Sequence, residues 1–229
     1  MAVLACAAAL VAPALALPVP KSVTGYLLGP RMIRAEIFVQ TRDGVQHDFR
    51  LDRGRLLRRW AKNQLTVVER DGATTPVKVA SSASVLLNGR ASNLRALRPG
   101  MQIAISHDRD LPADAVWASS TKRAPNLPLA YGAFLLGNRL VRGEIALQSS
   151  DGVVHDYLLD RGRIRQVGVF TLTLREVDGT IATLDISATV RVKLNGQNAG
   201  FAQLRKGMMA TTMHDGDGKP VDQIFATGK

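Results

Sequence analysis

Cysteine is almost missing from this chain: there is one in 229 residues, Cys6. That count excludes a disulfide framework and a zinc site built from several cysteines. Aromatic residues make up only 5% of the chain, so any core must be mostly Val, Leu, Ile and Ala. Only four histidines are present, and there is no Gly-x-Ser-x-Gly, no phosphate-cradling glycine loop and no His-Glu-x-x-His. Apolar content is not lacking. At 46% it sets the chain apart from disordered sequences and suffices for one large domain or two small ones.

Positive charge is in excess, with 30 Lys and Arg against 19 Asp and Glu and a formal net charge of +11. Residues 27–120 carry 15 basic against 9 acidic side chains, and residues 135–229 carry 12 against 10. Such a balance draws a protein toward anionic surfaces such as phospholipid head groups, acidic glycans or DNA, and it also serves solubility alone. The N-terminus reads MAVLACAAALVAPALALPVP. Its apolar run ends at Ala14-Leu15-Ala16, which matches the apolar core and small-x-small cleavage site of a secretory signal peptide over residues 1–16. The run is shorter than the roughly 20 residues needed to span a bilayer. No Lys or Arg precedes it, a departure from the usual signal pattern. Cys6 lies inside this segment, so the mature chain is expected to be cysteine-free, secreted or in the periplasm or cell envelope, and not an integral membrane protein.

The chain repeats itself at a shift of 108 residues. From Leu27 to Arg55 against Leu135 to Arg163, 18 of 29 positions are identical. After Arg55 one deletion drops the shift to 107, which aligns Asp71-Gly72 with Asp178-Gly179, Leu87-Asn88-Gly89 with Leu194-Asn195-Gly196, and His107-Asp108 with His214-Asp215. The period is of domain size and far longer than a solenoid repeat. It predicts one unit over 27–120, a proline-containing linker over 121–134 and a second unit over 135–229. Within each unit, alternating apolar runs are separated by Asp-Gly or Asn-Gly signals. In unit two the runs predict strands at 140–148, 153–160, 164–167, 171–177, 181–187, 190–194, 208–213 and 223–226. Only residues 200–206 and their partner 93–98 read as a helical turn. The fold class is therefore all-β: two tandem small β-barrels (OB- or SH3-like) or sandwiches, each opening with a β-hairpin.

The repeated stretch HDFRLDRGR, residues 47–55, returns as HDYLLDRGR at 155–163. Its histidine–aspartate and basic residues raise a catalytic reading, and the hairpin register argues against it. The turn Arg42-Asp43-Gly44 has glycine third, which gives a three-residue loop with that glycine left-handed. Val39 then opposes His47, Ile37 opposes Phe49 and Ala35 opposes Leu51 on one apolar face. Arg34 opposes Asp52, and Glu36 opposes Arg50, on the other. Unit two repeats the register with Leu147–His155, Ile145–Tyr157 and Arg142–Asp160, and Leu158 replaces the partner of Glu144. Neighbouring residues on a strand point to opposite faces, so His47 and Asp48 cannot converge on one atom. The motif reads as structural, and Gly54 and Gly162 are expected to permit a bulge or sharp bend.

Two scattered histidines per unit lack a metal-ligand spacing, and Asp215-Gly-Asp217-Gly lacks the third ligand and closing glutamate of a calcium loop. The basic run around Trp60 is the candidate binding feature: Arg53, Arg55, Arg58, Arg59, Trp60 and Lys62. Arginines can hold a polyanion while tryptophan stacks on a base or sugar. The opposing reading is a solvated strand edge whose charges discourage aggregation.

The segments LDRGRLLRRWAKNQLTVVERDG with VLLNGRASNLRALRPGMQIAI, and LDRGRIRQVGVFTLTLREVDG with VKLNGQNAGFAQLRKGMMATT, resemble a widespread family of exported bacterial β-barrel domains of unknown function. The resemblance covers 27–120 and 135–228 and implies a small β-barrel in each unit. It carries no assigned catalytic residue. The reading is a non-enzymatic exported binding or structural protein without cofactor, whose partner is an anionic cell-surface polymer or a protein. The alternatives are an OB-like nucleic-acid binder, disfavoured by export, and a metal-dependent enzyme using the His/Asp sets.

Overall fold

The computed structural model describes residues 19–60 and 63–228. The expected signal segment and Lys62 lie outside them. The described residues are all-β apart from two seven-residue helices and two single 3-10 turns. Unit one runs α1 (Lys21–Leu27), β1 (Met32–Gln40), β2 (Gln46–Trp60), β3 (Gln64–Glu69), β4 (Thr74–Leu87), β5 (Arg90–Ser92), β6 (Gln102–Asp108) and β7 (Ala113–Ser119). Unit two runs α2 (Leu129–Leu135), β8 (Leu140–Gln148), β9 (Val154–Val167), β10 (Thr171–Glu176), β11 (Ile181–Leu194), β12 (Gln197–Ala199), β13 (Met209–Asp215) and β14 (Val221–Thr227).

The β1–β2 register is the one its turn dictates. Val39 opposes His47, Ile37 opposes Phe49, Ala35 opposes Leu51 and Arg34 opposes Asp52. Gly44 sits at φ +83° and Gly152, its counterpart, at +90°. The β8–β9 pair repeats the register, with Leu147 opposite His155 and Glu144 opposite Leu158. Where the sequence pattern suggested two strands, at 153–167 and at 181–194, the structure has one long bent strand. The end of the expected linker forms α2, residues 129–135, which sits 108 residues after α1 and is therefore part of the repeat.

The pairings close on themselves twice. In unit one β2 pairs β3, β3 pairs β4, β4 pairs β7 in parallel, β7 pairs β6, and β6 returns to β2. In unit two β9, β10, β11, β14 and β13 form the same ring, with β11 and β14 parallel. Each ring is filled by its own aliphatic cluster: Leu56, Leu65, Val67, Val85 and Ile103 among others in the first, and Ile164, Leu172, Leu174, Val192 and Ile224 in the second. The glycine of RGR is what lets β2 serve two neighbours. Residues 49–55 pair β6, and residues 54–60 pair β3. A Cβ on Gly54 would lie 2.1 Å from the Val68 carbonyl oxygen, and one on Gly162 would lie 2.5 Å from that of Arg175. The motif thus marks a close backbone approach at a strand bend.

The two units join through β1 and β8, which pair antiparallel with Glu36 directly opposite its own repeat equivalent, Glu144. A pseudo-two-fold axis passes through that pair. It gives both hairpin edges a partner, so the strands β2-β1-β8-β9 form one central sheet with no free edge. One face of this sheet packs under α1 and α2 in a third, shared core containing Leu27, Met32, Ile37, Leu51, Leu135, Ile145 and Leu159. The other face carries the charged side chains.

Candidate binding face on unit one

The Arg50–Glu36 ion pair spans 3.6 Å, as the register requires. Arg34, however, opposes Asp52 without bonding to it. Its guanidinium reaches across to Glu69 at 2.9 Å and Asp71 at 2.6 Å. Arg142 makes the equivalent contacts to Glu176 and Asp178. The reason lies in the bend at Gly54, which folds the end of β3 back over the hairpin; two-strand reasoning cannot see it.

The histidine–aspartate pairs are tertiary, not adjacent. His47 Nδ1 lies 2.7 Å from Asp108 and His155 Nδ1 lies 2.8 Å from Asp215, each ring stacked on the following Phe49 or Tyr157. His107 sits on the opposite face, 3.4 Å from Asp52, and this carboxylate raises its pKa. Each pair staples β6 or β13 to the start of the long bent strand. Among the described residues, no group of three or more His, Cys, Asp or Glu is placed to hold a metal.

The basic run divides into a buried and an exposed part. Arg53 is 3% exposed and donates to the carbonyls of Pro125 (2.9 Å) and Leu28 (3.3 Å). Burial pulls its pKa down to about 10. Arg161 repeats this burial, donating to Thr211 Oγ1 and Asn138 Oδ1. Arg53 therefore ties α1 and the segment before α2 to the ring and is closed to an external ligand.

Arg55, Arg58, Arg59 and Trp60 are exposed. A β-bulge at Leu57 decides their direction: Leu56 opposes Val67, whereas Arg58 opposes Thr66. Without the extra residue, Arg58 would share the inward face with Leu56. With it, Arg55, Arg58 and Trp60 line one outer face in successive rows. Across β3 and β4 those rows read Arg55–Val68–Thr74, Arg58–Thr66–Pro76 and Trp60–Gln64–Lys78. The Arg58 guanidinium lies 3.6 Å from the Trp60 ring centroid, and the indole N–H donates to Thr66 Oγ1 at 2.8 Å. Arg59 instead opposes buried Leu65 at the rim. Among the described residues, the face thus holds three cations, one aromatic ring and no carboxylate. Among the described residues, no ion pair engages Arg55, Arg58, Arg59 or Lys78. Lys78 was missed in the sequence because it lies two strands away; its alternation with Val77 and Val79 gave the only signal.

Unit two does not repeat this face. Gln166 stands at the place of Arg58, Gly168 at that of Trp60 and Asp185 at that of Lys78. Beside β11 lies a cavity of about 500 Å³ lined by Glu36, Glu144, Asp160, Asp185 and Asp217 against Arg142 and Lys219. Its carboxylates outnumber its cations, so its sign is wrong for an anion.

No family model and no curated protein matches the chain. A crystal structure of a deletion mutant of the single-stranded DNA binding protein from Thermus aquaticus is 10% identical, over 86% of this chain and 92% of that one. Its TM-score of 0.14 is too low to bear on fold or function.

Proposed function

We propose that this chain is a non-enzymatic, exported protein of the bacterial envelope that holds an anionic surface polymer on the outer face of β2, β3 and β4 in unit one. The observation that carries the reading is the carboxylate-free grid of Arg55, Arg58 and Lys78 with Trp60 stacked under Arg58. Cations without partners meet phosphates or acidic sugars, and an exposed indole stacks on a sugar or a base. We also read each ring as a small barrel. The ring order β2-β3-β4-β7-β6, closed by one parallel pair, supports OB connectivity over the SH3-like and sandwich alternatives. OB barrels take oligosaccharides and oligonucleotides on this part of the sheet.

That connectivity, together with Trp60, favours single-stranded nucleic acid as the second reading. Titrating an acidic polysaccharide and a single-stranded oligonucleotide at stepped salt separates the two. The logarithm of the affinity for the true ligand falls linearly with log salt, and the slope shrinks by about 0.7–1 for Arg58→Ala and again for Lys78→Ala. Trp60→Ala weakens binding by about 1–3 kcal/mol. Unchanged affinity in all three variants would place the ligand elsewhere.

A further inference from the structure

The hairpin of unit two that corresponds to the Trp60 hairpin ends in Gly168-Val169-Phe170. Val169 is 81% exposed and Phe170 59%. Six of the other tight turns carry Asp-Gly or Asn-Gly, with the glycine left-handed, at residues 43–44, 71–72, 88–89, 151–152, 178–179 and 195–196. Turn geometry accounts for those residues. It does not account for Val-Phe, which is neither turn-forming nor buried. Behind the tip, the stem is basic. Arg163 on β9 and Arg175 on β10 oppose each other directly, and Arg165 is the bulged residue between Ile164 and Gln166. All three are exposed. Among the described residues, none forms an ion pair with a carboxylate. Like charges directly opposite each other on adjacent strands repel, and an external anion relieves that repulsion. Unit one has Val68 opposite Arg55, so the arginine pair belongs to unit two alone.

We propose that the β9–β10 hairpin docks on an anionic phospholipid surface. Val169 and Phe170 enter the boundary between head groups and acyl chains, and Arg163, Arg165 and Arg175 meet lipid phosphates. A peripheral element buries its apolar side by about 5–10 Å at that boundary. The arginines follow about four to six residues behind the tip, at most about 13–20 Å along the strand. Their long side chains then reach head groups from the water side. A soluble polymer would use the arginines and leave the Val-Phe tip without a role; a bilayer uses both. The proposal does not rest on the unit-one face.

The test is sedimentation of the full chain with vesicles of phosphatidylcholine alone and of phosphatidylcholine with about a quarter phosphatidylglycerol. Binding is expected only to the anionic vesicles. The double variant Val169→Ser/Phe170→Ser, both at exposed positions, is expected to weaken it at least tenfold, in line with the transfer free energy of two apolar side chains. Arg163→Gln/Arg175→Gln is expected to weaken it by about fivefold or more per arginine. Trp60→Ala should leave vesicle binding within about twofold, whereas the Val169/Phe170 variant should leave soluble-polymer binding unchanged. That contrast separates failure of this proposal from failure of the unit-one reading. Three results overturn it: equal binding to neutral vesicles, no binding to anionic ones, or wild-type binding by the Val169→Ser/Phe170→Ser variant.

Discussion

Replacing Gly54 with alanine probes the claim that RGR is a structural hinge. The added Cβ would stand 2.1 Å from Val68 O, 2.7 Å from Val68 C and 2.8 Å from Val67 Cγ1. Two of these atoms are backbone, so no rotamer change relieves the contact. An ordinary contact begins near 3.4 Å, so β3 must retreat by about 1.3 Å where it pairs β2, which disrupts the ladder bonds of that corner. Overpacking together with lost hydrogen bonds costs about 3 kcal/mol or more. For a chain of this length that lowers the melting temperature by about 6–12 °C, followed by circular dichroism. Gly162→Ala should behave alike. The control is Gly143→Ala, where the nearest atom is 3.4 Å away and the repeat equivalent is already Ala35; it should cost under about 1 kcal/mol. A Gly54→Ala protein as stable as the wild type would refute the hinge argument.

Glu176 is buried, and burial pushes its pKa up to about 7 from an ordinary 4.5. Its repeat equivalent Glu69 accepts a hydrogen bond from Thr75 at 2.7 Å, but Ala182 takes the place of Thr75 in unit two. A carboxyl with a raised folded pKa favours the folded state while protonated. Its contribution is therefore full below about pH 4.5 and is lost as pH rises through about 7. Denaturant midpoints across that range should show this loss, Glu176→Gln should flatten it, and Ala182→Thr should move it to lower pH. His107, whose pKa Asp52 raises, and Asp48 and Asp160, whose pKa values burial raises, lose stability in the same direction, so a residual slope in Glu176→Gln belongs to these groups. Arg53→Ala strands the carbonyls of Leu28 and Pro125, which should destabilise the fold by about 2–4 kcal/mol in chemical denaturation while sparing polymer affinity; weakened affinity in a folded variant would return Arg53 to the binding face.

The period-two pattern and the turn glycines made the β1–β2 and β8–β9 registers legible residue by residue, because one buried face admits one register. β9 was read as two short strands because it changes partners midway, so that which face is buried changes at Gly162, and β11 because its pairing with β14 shifts register between Ile186 and Arg191. α2 was hidden in the apparent linker and α1 in the unassigned residues before unit one, since seven residues without an acidic cap or a charged face give little periodicity. At the candidate binding face, Arg58 and Trp60 were visible as composition, but their common direction depends on the Leu57 bulge. Lys78 depends on a neighbour two strands away. The burial of Arg53 depends on segments 25 and 72 residues distant in sequence. These are tertiary facts without a local signature.

The most direct test of the functional account is co-sedimentation of residues 17–229, the chain without its proposed signal segment, with purified cell envelopes at low and at physiological salt, beside an Arg58→Ala/Trp60→Ala variant. The account predicts saturable retention of the wild type that persists at physiological salt and drops about tenfold or more in the variant, in line with the loss of one stacking contact and one charge. Retention that vanishes at physiological salt, or that the variant keeps in full, would contradict it.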